Sequence, residues 1–376
     1  MRILHLVATG QRRGAEVFTA DLVAALDAPD LRQRVAVLRG GPPWEVPFGA
    51  PVTALNGRPR PRRLPLHLGT AWRLRRLVAD WRPDLITAHG GESLKYAVLT
   101  ATTGRPPIVY RRIGSLSGWL SGGPRRLLYG HLMQRADRIV TVADSVRDET
   151  LDAFRLPDDR VLTIPNGVDP RRLEPRQGRD ATRAAVGIAP EATVVLSLGA
   201  LSPEKDPLGH LAVTAPLLRR RPEVIHLFVG GGPLAGEVES AIRRQRLDRQ
   251  ARVLGSRGDV GDLLAASNLL LFASRAVGSN EGMPACVIEA GVSALPVVAV
   301  SLTGVPEVVE DGVTGLLAPP GDHGRLRAAL DRLLADQPLR SRMGRAAQAR
   351  CRERYGIAGI ARAYRDLYRE LVVPDG

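Results

Sequence analysis

Apolar residues along the chain gather in short unbroken runs, separated by longer stretches of helical periodicity. In the first half, the runs at 3–7, 34–38, 84–88, 108–112 and 138–142 read as strands. In the second half, strands are expected at 193–198, 224–229, 252–254, 268–272 and 297–300, with helices between. Strand–helix alternation in both halves predicts two doubly wound α/β domains with parallel sheets. The stretch 171–178, rich in Pro, Arg and Gly, is the candidate linker. Residues 355–371 carry a helical pattern, and no internal repeat relates the two halves.

Several stretches interrupt this pattern with residues that have chemistry to offer. The most informative is Ser279-Asn-Glu-Gly-Met-Pro-Ala-Cys-Val-Ile-Glu-Ala290, which sets Glu281 and Glu289 eight residues apart. Pro284 suits the first position of a helix, where its missing N–H is not needed. Gly282 and Met283 form the turn into that helix. Its free amides and dipole offer a seat for an anion or for sugar hydroxyls. At about 1.5 Å of rise per residue, the carboxylates stand roughly 12 Å apart. They are too far apart to share a proton or a metal, but can hold the two ends of an extended ligand whose anionic middle rests on the amides. A nucleotide-sugar has that shape.

The loop Gly199-Ala-Leu-Ser-Pro-Glu-Lys205 follows an expected strand, and Lys205 is a candidate diphosphate partner in a chain that uses arginine almost everywhere else. Val229-Gly-Gly-Gly-Pro233 marks a strand end where backbone must approach something closely. In the first half, the strand, glycine loop and helix around Gly14 and Ala15 form a phosphate-cradle pattern, without the spacing of a dinucleotide fingerprint. Taken alone, Gly14 fits a packing role equally well. His89 ends an expected parallel strand, a place that faces the ligand crevice. Of Arg111 and Arg112, one is expected in that crevice and the other in solvent. Ser145-Val-Arg-Asp148 reads as a capping box with Asp in place of Glu.

Composition narrows the classes. A length of 376 residues suits two domains, and 44% apolar residues suit a globular protein. Cys286 and Cys351 make neither a disulfide framework nor a metal motif, which points to a reducing, cytoplasmic setting. Cys286 is expected as a core residue. No apolar stretch is long enough to span a bilayer, and the N-terminal run 1–8 lacks the pattern of a signal peptide. The net charge of +14 and pI of about 10.9 favour anionic partners. Aromatics at 4% argue against base-stacking surfaces for single-stranded nucleic acid. The basic, proline-broken loop 58–63 and the helix 71–78, with an arginine face, suit peripheral contact with an anionic membrane, or simply a solvated face.

In order and spacing, these pieces resemble the retaining glycosyltransferase family four. The likeness rests on Gly14-Ala15-Glu16, His89, Ala136-Asp-Arg-Ile-Val-Thr-Val142, Ile164-Pro-Asn-Gly-Val-Asp169, Gly199 to Lys205, Val229 to Pro233 and Glu281 to Glu289. It implies a GT-B architecture, with two Rossmann-like domains facing across a cleft and a C-terminal helix crossing back to the first. The domains would then be 1–170 plus 356–376 on the acceptor side, and 179–355 on the nucleotide-sugar side. It implies a retaining, metal-independent transfer of a sugar from a nucleoside-diphosphate sugar, most commonly UDP, with no cofactor. The acceptor hydroxyl would belong to a lipid-linked glycan, a phospholipid or a small natural-product core. Glu281 would act at the donor sugar or the charge developing at its anomeric centre, and Glu289 on the ribose. Lys205 would hold the diphosphate, and His89 would lie beside the transferred sugar. The backbone of Gly282, Met283, Pro284, Gly199, Gly14 and Ala15 would line the donor.

Two positions depart from the family pattern. Ala200 stands where the family usually has a second phosphate cation, and Arg257 and Arg275 are the candidates to replace it. Arg13-Gly14 stands where the family usually has two glycines. Rival readings are a non-hydrolysing UDP-sugar epimerase, a basic nucleic-acid- or membrane-binding protein, and an inactive relative of the transferases.

Overall fold

The computed structural model describes residues 1–56, 66–99, 105–116, 123–275 and 281–372. The chain divides into two compact units, Met1–Gly167 with Ile357–Gly376, and Val168–Gly356. The proline- and arginine-rich stretch 171–178 is therefore not a connection between units but part of the second. It carries a 3-10 turn at Pro170–Leu173, capped by the Asp169 carboxylate on the Arg171 amide.

The first unit is built on a seven-stranded parallel sheet. Its strands are β1 (Arg2–Val7), β2 (Arg32–Val37), β3 (Val52–Ala54), β4 (Leu85–His89), β5 (Ile108–Arg112), β6 (Arg138–Thr141) and β7 (Val161–Thr163), in the order β3-β2-β1-β4-β5-β6-β7. The order reverses at β1, which pairs with β2 on one side and β4 on the other. β4 and β5 are buried along their whole length, including Thr87 and His89 in β4 and the two arginines that end β5. The last helix, Ile357–Val372, belongs to this unit. Ile357, Ile360, Ala361, Tyr364, Leu367 and Tyr368 recur at helical spacing and are buried, in one cluster with Phe18, Leu22 and Val109. The Thr87 hydroxyl donates to the Tyr368 hydroxyl at 2.9 Å, tying that helix to β4.

The second unit holds a six-stranded parallel sheet. Its strands are β8 (Thr193–Leu198), β9 (Val224–Val229), β10 (Ala251–Gly255), β11 (Leu269–Phe272), β12 (Val297–Val300) and β13 (Gly315–Ala318), in the order β10-β9-β8-β11-β12-β13. β8 pairs with both β9 and β11, so the order reverses between β8 and β11. A doubly wound sheet splays its connections apart at such a point, opening a crevice at the carboxyl ends of the strands.

Three local expectations change. The helix after β6 is Asp144–Phe154, with Ala143 as its cap and no side-chain capping bond, so Ser145 does not cap it. The chain turns from strand to helix at once, and Asp144 in the first turn complements the dipole. Arg111 and Arg112 are both buried, at 1% and 2% exposure. Arg111 donates to the Asn166 amide oxygen and stacks 3.7 Å over the Phe18 ring, so it fastens the Ile164-Pro-Asn-Gly turn. Arg112 lies over Phe154. Pro284 directly precedes its helix, Ala285–Val292, rather than opening it. Among the described residues, no helix is long and apolar enough to cross a membrane.

Candidate active site

In the second unit, the two connections flanking the β8/β11 reversal hold the expected chemistry. After β8, Gly199 adopts φ +147, a conformation open to glycine and costly for other residues. The chain then makes a 3-10 turn at Pro203–Lys205. Gly230 and Gly232 are required by this loop. A Cβ on Gly230 would overlap the Gly199 carbonyl, and one on Gly232 would overlap the Leu201 backbone. The Leu201 amide donates to the Gly231 carbonyl at 2.9 Å and the Leu234 amide to the Leu201 carbonyl at 2.9 Å. What Val229-Gly-Gly-Gly-Pro233 approaches so closely is thus the Lys205 loop.

Lys205 forms an ion pair with Glu281 and lies 5.3 Å from the centre of the Phe272 ring. Both charges are largely covered, the side chains being 26% and 11% exposed. Burial works against the Lys205 ammonium, but Glu281 above all, together with Cys286 and Glu204, outweighs it and raises the lysine pKa. The pair joins the loop after β8 to the chain entering the Ala285–Val292 helix. Gly282, Met283 and Pro284 are buried beside it. Ser279 and Asn280 lie outside the described residues.

Glu289, the fifth residue of that helix, is 9% exposed and accepts from the Arg172 guanidinium at 2.8 Å. Arg172 sits in the segment read as linker, so sequence reasoning missed it as a site residue. Its signal was available only as an arginine in a stretch of arginines. Cys286, on the same helix, is buried, and burial pushes its thiol up to about 12. It is a packed side chain and not a nucleophile.

The two candidate replacement cations already have carboxylate partners. Arg275 is exposed and its Nε lies 3.3 Å from Asp206, while its backbone amide donates to the Glu204 carbonyl at 3.1 Å. Arg257 grips Asp259 with both arms of its guanidinium, at 2.9 and 2.6 Å. Asp206 has φ +46, and its carboxylate caps the next helix on the Gly209 amide at 3.1 Å.

In the first unit, the connections after β1 and β4 flank the corresponding reversal. Gly14 begins the helix Gly14–Ala25, and a Cβ there would meet nothing within 4 Å, so packing does not demand glycine. Ala15 is the second residue of that helix. Glu16 turns inward at 4% exposure and accepts from the Thr9 amide and hydroxyl at 3.3 and 3.0 Å, closing the loop on itself. Burial raises its pKa. His89 is 2% exposed. Its Nε2 meets His5 Nδ1 at 3.2 Å, and His5 Nε2 meets Gln33 Oε1 at 3.2 Å. Burial, then the neighbouring His5 and Arg111, hold the His89 pKa well below the ordinary range, so the ring is neutral.

Comparison with known proteins gives two family matches. The family described as Glycosyltransferase Family 4 matches residues 12–172, and Glycosyl transferases group 1 matches residues 178–350. A D-inositol 3-phosphate glycosyltransferase of Kineococcus radiotolerans is 31% identical, over 78% of this chain and 73% of its own. A glycogen synthase of Mycobacterium tuberculosis is 28% identical, over 79% of this chain and 71% of its own. Among solved structures, Anabaena Alr3699/HepE in complex with UDP and glucose aligns with a TM-score of 0.84 at 23% identity, covering 99% of this chain and all of that one. Sucrose-phosphate synthase from Thermosynechococcus elongatus aligns with a TM-score of 0.86 at 18% identity, over the full length of both. At such identities these two likenesses speak to the fold.

Proposed function

The chain belongs to glycosyltransferase family 4, and from that premise we propose that it moves a hexose from a UDP-sugar to an acceptor hydroxyl with retention of configuration. The observation that carries the reading is the largely covered Lys205–Glu281 pair at the β8/β11 reversal, with Glu289 farther along, on the helix that follows. Lys205 faces the diphosphate, the backbone of 282–284 carries sugar or phosphate oxygens, and Glu289 takes the ribose hydroxyls. Glu281 supports the positive charge that develops at the anomeric carbon. The bond from that carbon to the departing phosphate oxygen breaks as the bond to the acceptor oxygen forms on the same face, and the acceptor proton passes to the departing phosphate. Arg275, exposed beside Asp206, is the better placed replacement for the cation missing at Ala200. The two-armed grip of Arg257 on Asp259 suits a structural role instead. UDP is favoured because a UDP-bound structure stands among the neighbours.

Relatives named for D-inositol 3-phosphate point to a small cyclic polyol as acceptor. The basic surface also suits a phospholipid or lipid-linked glycan met by peripheral contact with an anionic membrane. Helix Leu68–Trp81 exposes Leu68 at 80% and Trp72 at 60%, and helix Gly123–Gln134 exposes Leu127 at 78%, with exposed arginines next to Trp72 and Leu127. The basic loop 58–63 lies outside the described residues. A thermal-shift screen of nucleotide-sugars tests the donor. At a hundredfold excess over Kd, a bound ligand adds about 2.7 kcal/mol of stability. UDP-sugars should raise Tm in a concentration-dependent way, and a screen in which no nucleotide-sugar does so contradicts the reading.

A further inference from the structure

Beneath the Lys205 loop runs a line of buried polar side chains that the reaction does not use. His210 Nε2 lies 2.9 Å from the Ala273 amide, which can only donate, so Nε2 accepts. In the neutral ring Nδ1 then carries the proton and donates to Ser197 Oγ at 2.7 Å. Ser197 Oγ meets His226 Nε2 at 2.8 Å, and His226 Nδ1 meets Thr214 Oγ1 at 2.9 Å. Thr214 in turn donates to the His210 carbonyl at 3.1 Å. All four side chains are buried, His226 completely. Burial lowers His210 to about 4 and His226 well below the ordinary range, so both rings stay neutral at working pH.

A buried polar network with every member satisfied costs nothing in unpaired groups and holds its parts in one arrangement. Here the part held is the exit of β11. The Ala273 amide is pinned by His210, and two residues on, the Arg275 amide is pinned by the Glu204 carbonyl. Between them sits Ser274, 3% exposed, its hydroxyl without a hydrogen-bond partner. Ser274, His210, Gly199, Ala200 and Lys205 line one cavity.

We propose that His210 is a positioning residue for the donor site: its bond to the Ala273 amide sets the path of the chain leaving β11, and with it the place of Ser274 beside Lys205. The inference rests on the donor site proposed above. Two near-isosteres separate the positioning bond from general packing. Gln at 210 reaches as far as Nε2 and can still accept from the Ala273 amide. Asn reaches only as far as Nδ1 and can still meet Ser197.

The test compares His210→Gln, His210→Asn and wild type by calorimetric titration with UDP and by hydrogen exchange of the unliganded protein. His210→Asn should weaken UDP binding about tenfold, the worth of roughly one hydrogen bond, and speed exchange at 273–275 against wild type. His210→Gln should stay within about twofold of wild type in Kd, even where both variants lose a similar amount of Tm. Equal weakening in the two variants, or UDP binding by His210→Asn at the wild-type Kd, overturns the proposal. If wild type itself binds neither UDP nor GDP, the donor reading fails instead. The positioning bond is then judged on exchange, and wild-type protection at 273–275 in His210→Asn overturns it.

Discussion

Lys205 and Glu281 neutralise each other where neither could be buried alone, because an unpaired buried charge costs several kcal/mol. The pairing keeps a cation and an anion ready at the places where the departing phosphate and the anomeric centre need opposite fields. Glu281→Gln keeps the shape and removes the charge. Loss of one preorganised electrostatic group typically lowers turnover by about 10²–10³, and steady-state rates of UDP release should fall by that much with donor KM little changed. Near wild-type turnover would remove Glu281 from the chemistry. Glu289→Ala should act differently, raising donor KM about tenfold, equivalent to 1.4 kcal/mol, while kcat stays within a few-fold. At this scale the sequence was legible where residue type and spacing coincide, as at Glu281, Glu289 and Lys205. It was mute about Arg172, whose partner lies 117 positions away. It was also mute about Ser197, His210 and His226, single polar residues inside apolar runs.

The elements were legible in proportion to their length and burial. β8, β9 and β12 announce themselves as continuous apolar runs. β3 and β7, of three residues each, carry too few residues for a pattern, and β13 is hidden because it is entered straight from the glycine turn at 311–315. The three glycines after β9 were legible as a close approach, but not what they approached, since that depends on sheet order. Gly230 has φ +144 and backs onto the Gly199 carbonyl. Gly230→Ala should therefore destabilise the protein by about 1–3 kcal/mol from backbone strain, before any cost of the clash. It should also weaken donor binding, because the Lys205 loop is the part displaced. A lowered urea midpoint at unchanged slope would report the first effect. A Gly230→Ala variant with wild-type stability would mean the loop yields freely.

Over the whole molecule, the charge of +14 first suggests a polyanion-binding protein. Some of its arginines are engaged in internal hydrogen bonds instead. Arg183 donates to the Ala266 carbonyl and the Asn268 amide oxygen, Arg340 to the Leu333 and Leu334 carbonyls, and Arg252 to the Val186 and Gly187 carbonyls. Exposed arginines stand beside the exposed apolar side chains of Trp72 and Leu127. Vesicles rich in anionic lipid should therefore sediment the protein, vesicles of zwitterionic lipid should not, and Trp72→Ser with Leu127→Ser should reduce the bound fraction several-fold. Equal sedimentation by both lipids would assign the exposed residues another role. The claim on which the enzymatic reading stands is the place of the nucleotide, and a crystal structure with UDP-glucose bound addresses it most directly. The diphosphate should lie at Lys205 and the 282–284 backbone, with the ribose on Glu289; a nucleotide bound anywhere else would contradict the account.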